Sequence, residues 1–415
     1  MSQKPMIIRN TLCRTTLLVL LSLHSASAQW LQWGGPNRNF TVETKGLKDK
    51  WPDGGPKKLW QRELGDGYST ILVDGDMLYT MYRAGQEEFT IALDAKTGKT
   101  LWEHKVFSPT TPVMEEYGAG PSATPLIVGD KLYSVGTNMM LHCFNKKTGD
   151  VIWKKSLADE FGASIQDRGY TCSPLAYKDT IILPITKAGH GLTAFHPDTG
   201  SVIWSKGDFG VTHSSPIIIR FEGEDQLVYF TADSLIGVNP SNGELLWGHE
   251  HKTQYGANLM TPLWNGKDLI FCSAAYDSGA RVVKLSKKDG KTVPEQLWFS
   301  KKMRLHHGNA VTIGDHVYGS SGDFGPAFFM AAEWQTGKTP WRARGFKKAT
   351  CVHGDGKMII LDEDGNLSLA TATPEALEVH SSAKVGELYS WAAPTLVGTK
   401  LYLRDRKHIW AFDVG

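Results

Sequence analysis

The feature that most constrains this 415-residue chain is a ten-residue phrase that keeps returning. Leu93-Asp94-Ala95-Lys96-Thr97-Gly98-Lys99-Thr100-Leu101-Trp102 comes back as Phe144-Asn145-Lys146-Lys147-Thr148-Gly149-Asp150-Val151-Ile152-Trp153, and again over 195–204 and 238–247. Looser copies end at Trp298 and Trp341. The six tryptophans are spaced by 51, 51, 43, 51 and 43 residues, the period of a supersecondary unit and not of a domain.

One copy contains enough physics to identify the unit. An apolar run ends in Asp or Asn, whose side chain can hydrogen-bond the backbone of a tight turn, and Thr-Gly follows, with Gly free to take positive φ. After this hairpin come β-branched and aromatic residues such as Val151-Ile152-Trp153, which suit a pleated, half-buried surface. A second hairpin lies upstream in most copies, as in Val73-Asp74-Gly75-Asp76 and Val128-Gly129-Asp130-Lys131. Further upstream a Thr/Ser/Ala-Pro step recurs at Thr124-Pro125, Ser173-Pro174, Ser215-Pro216, Thr261-Pro262 and Ala393-Pro394; proline cannot donate to a ladder, so the step marks a strand start or a bulge. Each unit therefore holds about four short antiparallel strands, and such units repeated radially make a β-propeller. The repeat tryptophan is expected to wedge between blades.

Blade number follows from closure. Leu361-Asp362-Glu363-Asp364-Gly365-Asn366 reads as a degenerate, solvated turn whose unit has lost its Trp, and the final unit stops at Asp413 without an outer strand. Lys57-Lys58-Leu59-Trp60-Gln61-Arg62-Glu63-Leu64 looks like that missing strand. Counting Trp60, Trp102, Trp153, Trp204, Trp247, Trp298, Trp341 and the Trp-less unit gives an all-β, eight-bladed propeller of four-stranded antiparallel blades, closed by an N-terminal outer strand that leaves no open sheet edge. The expected organisation is a signal peptide over 1–28, a leader or strap over 29–56 and one propeller over 57–415.

The signal peptide is read from basic Lys4, Arg9 and Arg14, the short apolar run 15–23, and Ala26-Ser27-Ala28 before Gln29. That run is about half of the roughly 20 apolar residues needed to cross a bilayer, so no transmembrane segment is expected and the chain reads as exported, periplasmic or secreted. Cys13 precedes the apolar run, away from a lipoprotein position. Without the first 28 residues the charge is 42 basic against 43 acidic side chains with no long run of one sign, which argues against nucleic acid as a partner. Cys143, Cys172, Cys272 and Cys351 form no CxxC and no adjacent pair, so no zinc, thioredoxin-like or haem signature is present, and buried free thiols are expected.

The Leu/Phe-x-Asp-x-x-Thr-Gly-x-x-x-Trp pattern resembles the repeat of the PQQ-like, quinoprotein-type β-propellers, over about residues 57–415. Trp30-Leu31-Gln32-Trp33-Gly34-Gly35-Pro36-Asn37-Arg38 likewise resembles the leader of exported bacterial propellers of this group. The resemblance implies one of two functions: PQQ-dependent dehydrogenation, or non-catalytic binding as in BamB-like subunits of the barrel-assembly machinery. Fold alone does not choose between them. The alcohol dehydrogenases of the group carry an adjacent cysteine pair over the quinone, a Glu/Asn/Asp set on Ca²⁺ and a catalytic Asp; this chain has no Cys-Cys pair, and the sugar-oxidising members lack one too.

Residues near the Pro steps should line one mouth of the channel: Tyr68, Tyr117, Arg168, Tyr170, His213, Tyr255, Asn258, His306, His307, Asn309 and Trp391. His306 and His307, as neighbours in a strand, are expected to face opposite sides and so not to share a metal. His213-Ser214-Ser215 is the one grouping that suggests hydrolysis, and strand alternation turns its members apart. The sequence is thus read as a non-catalytic binding or scaffold propeller of the cell envelope with no catalytic residues, metal or resident cofactor, its partner an envelope protein or a small-molecule or glycan ligand. The alternative is a dehydrogenase of small alcohols or sugars using PQQ with Ca²⁺.

Overall fold

The computed structural model describes residues 1, 29–210, 212–323, 326–387 and 389–415; the expected signal peptide lies, apart from Met1, outside them. The described residues form eight sheets around a central channel, each strand hydrogen-bonded to its neighbour in chain order from the axis outward. Blade 1 is representative, with strands Leu72–Asp74, Met77–Ala84, Glu87–Asp94 and Thr100–Phe107. Its middle strands are buried on both faces because a blade packs on either side. The outer strand alternates exposed and half-buried residues, as a sheet rim does.

Closure is by the N-terminal strand. Lys57–Glu63 pairs antiparallel with His408–Asp413, placing Trp60 opposite Ala411, and the last blade continues inward through Lys400–Arg404 and Thr395–Val397. Blade 7 has a fifth, innermost strand: Thr41–Val42 of the leader runs parallel to His353–Gly354.

The repeat motif is an inter-blade lock. In blade 1 the outer strand slips register, pairing Thr100 with Leu93 and Trp102 with Ala92, so that Leu101 is left out and exposed while Trp102 turns to the next blade. The Trp102 Nε1–H donates to the carbonyl of Lys146 at 2.9 Å, and its ring lies on Gly149 of the following turn. Trp60, Trp153, Trp204 and Trp298 repeat the arrangement, donating to Ala95, Pro197, Pro240 and Trp334 and covering Gly98, Gly200, Gly243 and Gly337. Glycine is thus required twice over. At Gly149 φ is +78°, and a Cβ would lie 2.6 Å from Cδ2 of Trp102. Gly149→Ala is expected to cost about 1–3 kcal/mol, read as a lowered urea midpoint with unchanged slope.

Trp341 keeps the hydrogen bond, donating to the Thr373 carbonyl at 3.0 Å, and the two remaining junctions depart from the rule for visible reasons. Trp247 packs against Gly237 of its own blade and donates to Gln226 Oε1 at 2.7 Å. In blade 7 the Trp register position is held by Ser381, opposite Leu369, and its hydroxyl accepts from the backbone N–H of Trp51 at 2.8 Å. The leader thus supplies a buried tryptophan beside the blade that lacks one, within the largest core cluster, which runs through blades 6, 7, 8, 1 and 2.

The Ser/Thr-Pro steps have a role that strand geometry alone does not suggest. Thr124 Oγ1 accepts from Thr70 N–H, Ser173 Oγ from Thr124 N–H, and Ser215 Oγ from Ser173 N–H, each at 3.0–3.1 Å. Proline starts the inner strand while the hydroxyl before it clips that blade to its predecessor. Across the ring Asn309 takes over, exchanging two 2.8 Å bonds with the backbone of Cys351.

Candidate functional site: an axial cavity closed by the leader

The leader does more than precede the propeller; it crosses the channel. Trp30 exchanges backbone hydrogen bonds with Val73 of blade 1, and Leu31 accepts from Ile127 of blade 2. Arg38 Nη1 donates to Pro174 of blade 3, Trp33 Nε1 to Thr261 Oγ1 of blade 5 at 2.8 Å, and Phe40 accepts from His353 of blade 7. Gly34, at φ +73°, permits the reversal between these contacts: a Cβ there would lie 2.7 Å from the Arg38 carbonyl carbon. Arg38 is buried with only neutral acceptors, which pushes its guanidinium down to about 9.

The channel is thereby divided. On one side of the leader is a cavity of about 160 Å³ whose wall includes Trp33, Tyr68, Tyr117, Ser122, Arg168, Thr171, His213, Leu259, Met260, His307, Asn309 and Trp391. It shares Arg168 and His213 with a wider vestibule of about 630 Å³ that adds Val113, Asp167, Tyr255 and Tyr276. A third hollow, lined by Gln32, Arg38, Leu175, Ile218 and Trp264, shares no residue with either.

Of the residues picked from sequence, Tyr68, Tyr117, Arg168, His213, His307, Asn309 and Trp391 meet at the inner cavity, and Tyr255 joins at the vestibule. Three turn elsewhere. Tyr170 is buried and donates to the Pro184 carbonyl at 2.9 Å; Asn258 is buried and donates to Thr231 O at 2.6 Å; His306 meets the Tyr276 hydroxyl through Nε2 at 2.8 Å. These segments are irregular loops, so distance from a Pro step fixes which end of the channel they reach but not which way they point.

The orientation of His307 relative to His306 is a correction. Residues 306 and 307 form a bend ahead of strand Ala310–Ile313, not part of a strand, so their rings touch at a centroid separation of 4.0 Å. His307 stacks on Trp391 at 4.0 Å and 7°, facing the cavity. A second correction concerns the 362–366 turn, expected to be solvated: Asp362 and Glu363 are buried. Asp362 accepts from Asn366, while Glu363 binds Lys347, Lys348 and the Trp391 indole at 2.8–3.1 Å, bracing the cavity wall. Around His213 no nucleophile is assembled: Ser214 donates to Met260 O, Ser215 accepts from Ser173 N–H, and His213 Nδ1 meets the Thr171 hydroxyl at 2.9 Å.

Among the described residues the cavity wall contains no carboxylate, and Arg168, its guanidinium 4.8 Å over the Tyr117 ring, is the one formal charge in it. Burial, reinforced by Arg168, pushes His213 down to about 4; burial, reinforced by His306 and nearby cations, holds His307 well below the ordinary imidazole range. Both are neutral at pH 7, each ring with one donor and one acceptor. His142, His251 and His306 are likewise lowered by burial, to about 4, 3 and 4. These groups bind protons in the unfolded chain before they do in the folded one, so stability is fully present above about pH 6.5 and falls as pH drops towards about 4. Denaturation midpoints at pH 7 and pH 5 should show the loss at pH 5; equal midpoints would refute it.

A calcium-bound quinone would need several convergent oxygen ligands, carboxylates among them. The Ser173, Ser215 and Thr261 hydroxyls of the wall are already engaged, and among the described residues no three His, Cys, Asp or Glu are grouped to hold a metal. The four cysteines are buried, separate thiols, each held above its ordinary range chiefly by burial. The residues present do not fit that pair.

Blade topology and the tryptophan lock define an eight-bladed β-propeller. The chain belongs to the family described as outer membrane protein assembly factor BamB, whose model matches residues 86–343. It is 31% identical over 160 residues to a quinoprotein ethanol dehydrogenase of Pseudomonas aeruginosa, covering 35% of this chain and 23% of that one. It is 30% identical over 101 residues to the outer membrane protein assembly factor BamB of Shewanella oneidensis, covering 24% and 26%. These matches span about a quarter of each relative's length. The quinohemoprotein alcohol dehydrogenase structure from Comamonas testosteroni shares the fold, with a TM-score of 0.61 and 13% identity over 94% of this chain and 81% of that one. Among the described residues no helix is long and apolar enough to cross a membrane.

Proposed function

We propose that this chain is a non-catalytic binding propeller of the cell envelope, holding its ligand in the axial cavity that the leader closes. One observation carries the reading: among the described residues the cavity wall combines aromatic faces and one arginine with no carboxylate, a set that can bind a ligand but offers no acidic ligand shell to calcium. Membership of the outer membrane protein assembly factor BamB family supports an envelope location and a binding role. The quinoprotein relatives support the competing dehydrogenase reading through the repeat region they share. Purified protein is to be titrated with PQQ and Ca²⁺ and assayed for dye reduction with ethanol and with glucose. The expected result is no turnover; saturable quinone binding with turnover would replace this reading by the dehydrogenase.

A further inference from the structure

Resting on the cavity's role as a binding site, the geometry points to a narrower ligand class: a hydroxylated single-ring carboxylate, a uronic acid, seated with its carboxylate at Arg168. The argument comes from which polar groups in the wall are already spent. Ser173, Ser215 and Asn309 are used to clip blades together, Thr261 holds the Trp33 indole, and the Tyr68 hydroxyl donates to the Tyr117 carbonyl.

What remains is a short, chemically legible set. Arg168 makes no ion pair among the described residues, its one recorded partner being the face of Tyr117. The Ser122 hydroxyl, Nε2 of His213 and the ring nitrogens of His307 likewise have no hydrogen-bond partner among the described residues. One cation and three neutral groups that donate and accept call for one negative charge and several hydroxyls; a bare aromatic acid would leave the neutral groups unpaired. Trp33 and Met260 offer apolar surface for the faces of a ring. At about 160 Å³ the chamber is close to the roughly 150 Å³ cavity known to hold a benzene ring, so it has room for one six-membered ring. The vestibule beyond has room for further sugar units, so the uronate is either free or the end of a glycan.

Isothermal titration with D-galacturonate, digalacturonate, D-galactose and benzoate tests this. D-galacturonate should bind at least tenfold tighter than D-galactose and tighter than benzoate. Arg168→Ala, at an exposed position and expected to melt with the parent protein, should abolish the preference over galactose, and Arg168→Lys should restore part of it. Tighter binding of digalacturonate than of the monomer assigns the site to a glycan end; equal binding assigns it to the free sugar acid. Galactose binding as tightly as galacturonate, unaffected by Arg168→Ala, would overturn the carboxylate claim while leaving the cavity a binding site. Benzoate binding best would overturn the hydroxylated ring, and failure of all four probes would overturn the proposal. Quinone turnover is the separate result that would remove the reading beneath it.

Discussion

Replacing Glu88 by Ala is expected to cost about 3–5 kcal/mol, the loss that follows when one partner of a buried ion pair is removed. Glu88 and Arg83 are 4% and 3% exposed at the side chain and meet at 2.5 Å. Arg83 also donates to the carbonyls of Ser108 and Ala119, and Glu88 accepts from the backbone N–H and hydroxyl of Thr137. The pair therefore ties blade 1 to the connecting loop and to blade 2. Without Glu88 the guanidinium stays buried among neutral acceptors. Urea unfolding at pH 7 measures the loss, and Arg83→Met with Glu88→Leu should recover most of it, because an apolar pair leaves no uncompensated charge. A loss below about 1 kcal/mol for Glu88→Ala would contradict the buried geometry.

Trp204→Ala should cost a similar amount, about 3–5 kcal/mol. The indole is 8% exposed, packs with Leu227, Tyr229, Ile236 and Val238, donates to Pro240 at 3.2 Å and covers Gly243. Its neighbour Ile203, pushed outward by the bulge, is 46% exposed, and Ile203→Ala should stay within about 0.5 kcal/mol. Equal losses at the two positions would show that the bulge does not sort the side chains as described. Ligand binding should be unchanged in both variants, since neither residue lines the cavity.

The propeller was legible because its information is local and repeated. A turn that needs Gly and a strand that needs Trp are written eight residues or fewer apart, and the closing strand was identifiable because Trp60 sits in the same phrase at the other end of the chain. What sequence spacing could not show is that Gly149 and Trp102 are partners across a blade boundary, since the motif that contains both in one copy uses them on different neighbours. The site was legible only as a zone. Register placed Tyr68, Arg168, His213 and Trp391 at one mouth but also collected Tyr170 and Asn258, which turn into the core from loops with no alternation to read. His307 was placed in that zone too, but strand alternation, applied to a bend, set it on the side opposite His306 when their rings in fact touch. Trp33 was missed for a different reason: its contact with Thr261 spans 228 residues, and the only local sign was the Gly34-Gly35 pair that lets the leader reverse inside the channel.

That contact is the account's central claim, because it closes one end of the channel and makes the cavity's floor. In deuterated protein with protonated threonine methyls, the nuclear Overhauser effect between the Trp33 indole Nε1–H and the Thr261 methyl tests it directly. A clear cross-peak, with a slowly exchanging indole proton that vanishes in Trp33→Phe, is the predicted result. A Trp33 indole that exchanges at the rate of free solvent and shows no contact with Thr261 would mean that the leader does not close the channel.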